Sequence, residues 1–240
     1  MDRAHWKRLG VHILMRDYTN FNQCLDRLAG DVYAQPPDPS HAHWAMDGVS
    51  GLLPTDVRMV LDVGCGQGFC KPIFEAASVV WTGVTIGADY DVCVAQEFPV
   101  LNLDMTFLDG ISDASHDMVF ARHVLEHSPF PILTLMEWRR VAITNLLLIA
   151  PAPAYWKYRG KNHYSMATKE QIQWWLQRAG WKPVVEETFN NSHPLFLKHW
   201  REELIKKHHL TVDKAPEHFP QHAEDVEYRF LCVKAEEITE

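Results

Sequence analysis

Cysteine is scarce in this sequence, and its five copies (Cys24, Cys65, Cys70, Cys93, Cys232) are odd in number with no Cys-x-x-Cys pair. That excludes a disulfide framework and a cysteine zinc site, and it points to a reducing, cytoplasmic setting. Long apolar runs are also missing: none reaches the roughly 18 residues of a membrane span. The first residues, MDRAHWKRLG, contain no apolar signal core. A soluble protein with no membrane partner is expected. There is no basic excess either, because 23 Lys and Arg face 31 Asp and Glu for a net charge of -8. Such a chain has no general attraction for a phosphate backbone, so no nucleic acid is expected as partner. What is present suits one α/β unit with a sizeable core: 240 residues, 47% hydrophobic and 22% charged.

The stretch around which the chain is organised is Val60 to Phe69, VLDVGCGQGF. It reads as a short apolar strand reaching the acidic Asp62, then a turn with glycine at 64, 66 and 68, then a helix. Alternating glycines after a strand bring backbone close to a ligand. The spacing is not the dinucleotide Gly-x-Gly-x-x-Gly, since Phe69 stands where the third glycine belongs. A carboxylate at Asp62 also repels phosphate and suits a cationic ligand.

The run Asp62-x-Gly64-x-Gly66-x-Gly68 resembles the first motif of the class I SAM-dependent methyltransferases. The resemblance extends over roughly residues 55–235 and implies a seven-stranded, mostly parallel Rossmann-like sheet with helices on both faces. It makes residues 1–55 an N-terminal helical cap and 56–240 the S-adenosylmethionine-binding domain, with an insertion at 190–226. It implies cofactor contacts from Asp62, Gly64, Cys65, Gly66 and Gly68.

Strand and helix signals alternate along the chain. Lys71 to Ala77 fits a helix and Ser78 to Ile86 a buried strand. In the family the second strand ends in an acidic residue that grips the ribose hydroxyls; here Thr85 stands in that place. Two readings are open: Thr85 and Ile86 lie at the ribose with Asp89 as acceptor, or Asp89 caps the next helix, through Cys93 and Gln96. Phe98 to Leu103 is a third strand, and the resemblance puts Asp104 and Met105 at the adenine. Asp117 to Ala121 is the fourth, with Ala121 and Arg122 beside the cofactor, and His116 replaces an aromatic usual in the family. Ser128 and Pro129 mark the start of a helix to about Val141.

His123-Val-Leu-Glu126-His127 also spells His-x-x-Glu-His, the zinc pattern of one metalloprotease group. That motif needs a long helix, and Pro129 and Pro131 follow at once. The expectation is therefore no metal, and a zinc hydrolase is the remote alternative. Asn145 to Ala150 is a fifth strand, preceded by a turn at Ala-Ile-Thr-Asn. The aromatic and basic stretch 151–167 is a loop at the ligand edge of the sheet, the best place for substrate contact. Thr168-Lys-Glu-Gln171 is a capping box opening a helix with Ile172, Trp175, Leu176 and Ala179 on its core face. Pro183 to Phe189 and Glu227 to Lys234 are the last two strands, an antiparallel pair by the resemblance. In the cap, a helix is expected over Asp17 to Leu28 and another over His41 to Leu53, with His41 and His43 solvated; in the insertion, Leu195 to His208 suits a helix.

The implied reaction is transfer of the sulfonium methyl group to an O, N or C nucleophile of a small-molecule acceptor, a protein acceptor being less favoured. His127 leads as general base because histidine titrates near neutrality, followed by His163 and Tyr164. The alternatives are a non-catalytic partner that keeps the fold and regulates another enzyme, and a protein that uses the cofactor for other chemistry.

Overall fold

The computed structural model describes residues 49, 51–156, 162–194, 196–198, 201–202, 205 and 224–236. The chain divides into the units Met1–Asp31 and Val32–Glu240, and every described residue belongs to the second. The expected helix at Asp17 to Leu28, the His41 and His43 pair, residues 157–161 of the loop and most of the insertion lie outside the described residues. Of the expected helix ending at Leu53, the described Val49, Gly51 and Leu52 are helical.

Seven strands form one sheet: β1 (Met59–Val63), β2 (Val80–Thr85), β3 (Val100–Asn102), β4 (His116–Arg122), β5 (Ala142–Pro151), β6 (Trp181–Asn190) and β7 (Asp225–Lys234). The helices bounded within the described residues are α1 (Lys71–Ala76), α2 (Ala88–Ala95), α3 (Pro131–Val141), the single turn α4 (Pro153–Trp156) and α5 (Lys169–Arg178). The strand order is β3-β2-β1-β4-β5-β7-β6. Only β7 runs against its neighbours, β5 on one side and β6 on the other. This is the seven-stranded, mostly parallel sheet expected from the sequence.

The period of two along the strands sorts apolar side chains between two cores. Leu61 and Val63 of β1, Val119 and Ala121 of β4, and Leu146 and Leu148 of β5 pack with Leu135 and Trp138 of α3 and Ile172 and Leu176 of α5. Val60, Met118, Phe120, Leu147 and Ile149 face the other way, against Phe74 of α1 and Val49 and Leu52. With apolar residues on both faces, the central strands are stable only when covered on both sides.

Three local expectations are corrected. The helix after β4 starts at Pro131, not Ser128: the residue before a proline is driven out of the α region, and Phe130 precedes Pro131 with φ -131° and ψ 61°. Ala142 to Asn145 belong to β5 rather than to a turn, because α3 ends at Val141 and Ala142 pairs directly with His116. Pro183 lies inside β6, which starts at Trp181; a register shift between Pro183 and Val185 on this edge strand accommodates the missing donor. The capping box forms as read, with the Thr168 hydroxyl accepting from the Gln171 amide at 3.3 Å. Trp175 is buried in the core as expected, while Trp174 is 53% exposed.

Candidate functional site

The site is built from two turns that leave adjacent parallel strands at their C-terminal ends. After β1, the amides of Gly64 and Cys65 both donate to the Val84 carbonyl, at 2.8 and 3.0 Å. Gly64, Gly66 and Gly68 all have positive φ, 69°, 54° and 79°. Two of them are also required by protein neighbours. A Cβ on Gly64 would stand 2.3 Å from a Val124 methyl, and one on Gly68 3.0 Å from the Phe98 ring. The glycine turn therefore interlocks with Val124, which belongs to the turn after β4.

Below the glycine turn, Asp62 is buried and accepts a hydrogen bond from the Trp81 indole at 2.9 Å. Burial pushes its carboxyl up to about 7, against the opposing effects of Trp81 and Arg122. Cys65 and Cys93 both donate to the Gly66 carbonyl, at 3.6 and 3.3 Å. The hydrogen bond with Cys93, and burial after it, push the Cys65 thiol far up, so Cys65 lines the turn as a neutral thiol.

Thr85, at the end of β2, is buried, Ile86 is half-buried, and Asp89 is buried in the first turn of α2. The N-cap of α2 is Gly87, without a side-chain cap bond, so the capping reading of Asp89 is corrected. Asp89 instead accepts from the Gln67 amide group at 3.0 Å, tying α2 to the glycine turn. Past β3, Asp104 accepts from the Thr106 amide at 2.7 Å and the Met105 carbonyl accepts from the Trp138 indole at 2.9 Å. Ala121 is buried in the sheet.

After β4 the chain turns sharply: His123 has φ 52°, a left-handed value rare for a side-chain-bearing residue. Its Nε2 lies 2.8 Å from Glu227 on β7, which also takes Arg122 at 3.4 Å and Arg229 at 3.2 Å. Burial opposes ionisation of Glu227, but the His123 hydrogen bond and the nearby arginines win and hold it down to about 2. His-x-x-Glu-His thus does not act as a unit: His123 turns to Glu227, while Glu126 and His127 sit on a 3-10 turn at Leu125–His127.

The loop at 162–165 is sewn to that turn. Ser165 donates its amide to the Glu126 carbonyl at 2.9 Å and its hydroxyl to the Ser128 carbonyl at 2.6 Å. His127 Nδ1 lies 3.1 Å from the Asn162 carbonyl. An imidazole nitrogen beside a carbonyl must be the donor, which leaves Nε2 as the basic atom. These bonds set His163 edge-on to His127, ring centres 4.5 Å apart. Tyr164 is 38% exposed at the rim. Burial lowers His127, against its bond to Asn162, and burial with the two nearby histidines lowers His163 to about 4. Burial pushes Glu126 up to about 8.

Residues 61–149 match the family model described as a methyltransferase domain. That match covers 89 of the chain's 240 residues. No curated protein matches this sequence. Among solved structures, a SAM-dependent methyltransferase from Archaeoglobus fulgidus is similar at 19% identity and TM-score 0.61, over 89% of this chain and 99% of that one. One from Aquifex aeolicus is similar at 14% identity and TM-score 0.55, over 82% and 94%. The [4+2]-cyclase SpnF is similar at 18% identity and TM-score 0.61, over 91% and 93%. At these identities the likeness is one of fold, and the fold of the methyltransferase domain also carries a cyclase.

The cofactor implied is S-adenosylmethionine, and the donor set at the strand ends fits it. Asp89 is bonded to Gln67 of the glycine turn, Asp62 is buried in β1 just before it, Thr85 ends β2 and Asp104 follows β3. The nearby Lys71 pairs with Glu75. Carboxylates and a hydroxyl suit a sulfonium, an amine and ribose hydroxyls, and they suit no phosphate. Sequence reasoning singled out the chemistry at the strand ends but missed Glu126 as part of the site, along with Asn162, Ser165 and Glu227. Several of their partners are distant in sequence, as with His127 and Asn162, 35 residues apart, and Arg122 and Glu227, 105 residues apart. Only the unusual Glu126 between Leu125 and His127, before Ser128 and Pro129, hinted at a buried charge.

Proposed function

We propose that the protein transfers the methyl group of S-adenosylmethionine to a nucleophilic oxygen, nitrogen or carbon of a small-molecule acceptor, with the acceptor held at Glu126, His127, His163 and Tyr164. The observation that carries this reading is the interlock of the two turns: Gly64 accepts no side chain because Val124 fills the space, so the glycine turn and the post-β4 turn abut. Between β1 and β4 lies the point where strand order reverses, the ligand crevice of open α/β sheets.

On this reading Gly64, Cys65, Gly66 and Gly68 present backbone to the cofactor, Thr85, Ile86 and Asp89 serve the ribose, and Asp104 and Met105 serve the adenine. Asp62 supports the turn from below through Trp81, and Ala121 and Arg122 end the strand beside it. The cofactor supplies an electrophilic methyl group. The protein orients the acceptor on the line of attack, a contribution of about 7–11 kcal/mol in favourable cases. Where the acceptor carries a proton, Nε2 of His127 takes it; its lowered basicity keeps it neutral and ready at neutral pH.

The test is a screen of small-molecule alcohols, phenols and amines read by release of the demethylated cofactor, followed by His127→Ala on the best acceptor. The reading predicts turnover lowered about 100-fold or more, with affinity for S-adenosylmethionine retained. Unchanged turnover in the variant removes His127 from the mechanism.

A further inference from the structure

Glu126, His127 and His163 each offer a ligand atom, and these atoms all lie within 4.8 Å of one another. Glu126 is 4% exposed, and its Oε2 has no hydrogen-bond partner among the described residues. A buried carboxylate oxygen left in this state is costly, on the order of 1–3 kcal/mol or more. Arg122, Arg229 and His123 gather on Glu227. The other carboxylate oxygen, Oε1, is 3.9 Å from Nε2 of His127.

The hydrogen bonding of His127 adds an independent observation. Its Nδ1 faces the Asn162 carbonyl at 3.1 Å, which fixes the tautomer with a lone pair on Nε2. A backbone carbonyl holding one ring nitrogen so that the other points at a cation is the usual support of a metal-ligating histidine. The same loop delivers His163, through the Ser165 bonds to the Glu126 and Ser128 carbonyls. Three donors from two segments are thus brought together by contacts that need no ion.

We propose that Glu126, His127 and His163 form a three-ligand site for a divalent transition-metal ion, zinc fitting best, whose open position takes an oxygen of the acceptor. Two imidazoles and one carboxylate, with a fourth position left open, is a donor set of catalytic zinc. Ligand bonds of about 2.0–2.1 Å put tetrahedral ligand atoms about 3.3 Å apart, so side-chain rotations suffice to close the cluster. This deepens the acceptor site proposed above, rests on that reading for the acceptor, and reassigns one atom: with the ion bound, Nε2 of His127 is a ligand and not a base. A hydroxyl in the open position then loses its proton to solvent more readily than in water. Its lone pair makes the new carbon–oxygen bond as the carbon–sulfur bond of the sulfonium breaks, with that electron pair returning to sulfur. The acceptor class narrows to hydroxyl-bearing small molecules.

The experiment uses the full chain, stripped with chelator and titrated with zinc, and separately with cobalt for its visible spectrum. The expected result is one ion per chain, affinity weakened at least 100-fold by Glu126→Gln and by His163→Ala, and a cobalt spectrum without thiolate charge transfer. Circular dichroism of each variant separates loss of a ligand from loss of the fold; His163→Ala, on a half-buried loop, is the less disruptive of the two. Absence of stoichiometric binding, affinity unchanged in both folded variants, or a thiolate band from the Cys65 and Cys93 pair overturns the proposal. Titration with S-adenosylmethionine in parallel keeps the two readings apart: its binding without metal binding defeats the metal site alone, and metal binding without it defeats the methyl-transfer reading alone.

Discussion

The turn after β1 and the turn after β4 are neighbours in space, yet they are held in opposite ways. The first is fixed mainly by backbone conformation and apolar packing: three positive-φ glycines, a Val124 methyl against Gly64 and a Phe98 ring against Gly68, with one hydrogen bond from Trp81 to Asp62 below. The second is fixed by polar bonds from distant segments, Asn162 and Ser165 on one side and Glu227 on the other. The glycine turn takes its shape from backbone conformation and steric fit, whereas the post-β4 turn takes its shape from polar partners on segments that can vary separately.

The largest expected effect breaks the polar side. Glu227→Gln leaves Arg122, Arg229 and His123 without their buried anion and is expected to cost about 3–5 kcal/mol in denaturant unfolding. Because Glu227 is held down to about 2, its stabilisation is complete above about pH 4.5 and is lost as pH falls toward about 2. The variant loses that part of the acid limb; an unchanged limb contradicts the buried ion cluster.

Gly64→Ala breaks the packed side. The left-handed φ and the clash with Val124 together are expected to cost about 2–4 kcal/mol, with cofactor binding lost. Adding Val124→Ala relieves the clash and restores about half of the stability but not the strain. A double variant no more stable than the single one would show that the interlock is not what demands glycine.

A smaller effect sharpens the contrast from below the turn. Trp81→Phe removes the one indole donor to Asp62 and is expected to cost about 1–3 kcal/mol. Asp62 is raised from 3.8 to about 7, so its contribution favours the folded state most at low pH and declines as pH rises through that window. Asp62→Asn removes the decline, which thermal melts from pH 4 to 8 will show. The smallest effect lies outside both turns: Thr168→Ala loses the cap of α5, worth about 1 kcal/mol, and leaves cofactor affinity unchanged.

The same contrast explains what the sequence made legible. Alternating apolar residues in β1, β4 and β5 and the glycine spacing are local signals, and they announce the sheet and the glycine turn. The cap at Thr168 was equally local. Ser128, a good cap by type, does not start α3, because its hydroxyl accepts from the Phe130 amide and lies 2.6 Å from the Thr134 hydroxyl. His-x-x-Glu-His looked like one motif, but the left-handed backbone at His123 sends its first histidine to β7 and leaves Glu126 and His127 for His163. No spacing rule reports such a division, because it depends on which strand ends up beside β5.

The central claim is that the glycine turn and the ends of β2 and β3 form a cofactor site separate from the Glu126 cluster. Calorimetric titration of the full chain with S-adenosylmethionine tests it, repeated on Asp104→Ala and Glu126→Gln. The account predicts saturable binding at one site per chain, weakened at least tenfold in Asp104→Ala and unchanged in Glu126→Gln. Absence of binding in the folded wild type, or equal affinity in Asp104→Ala and the wild type, would contradict it.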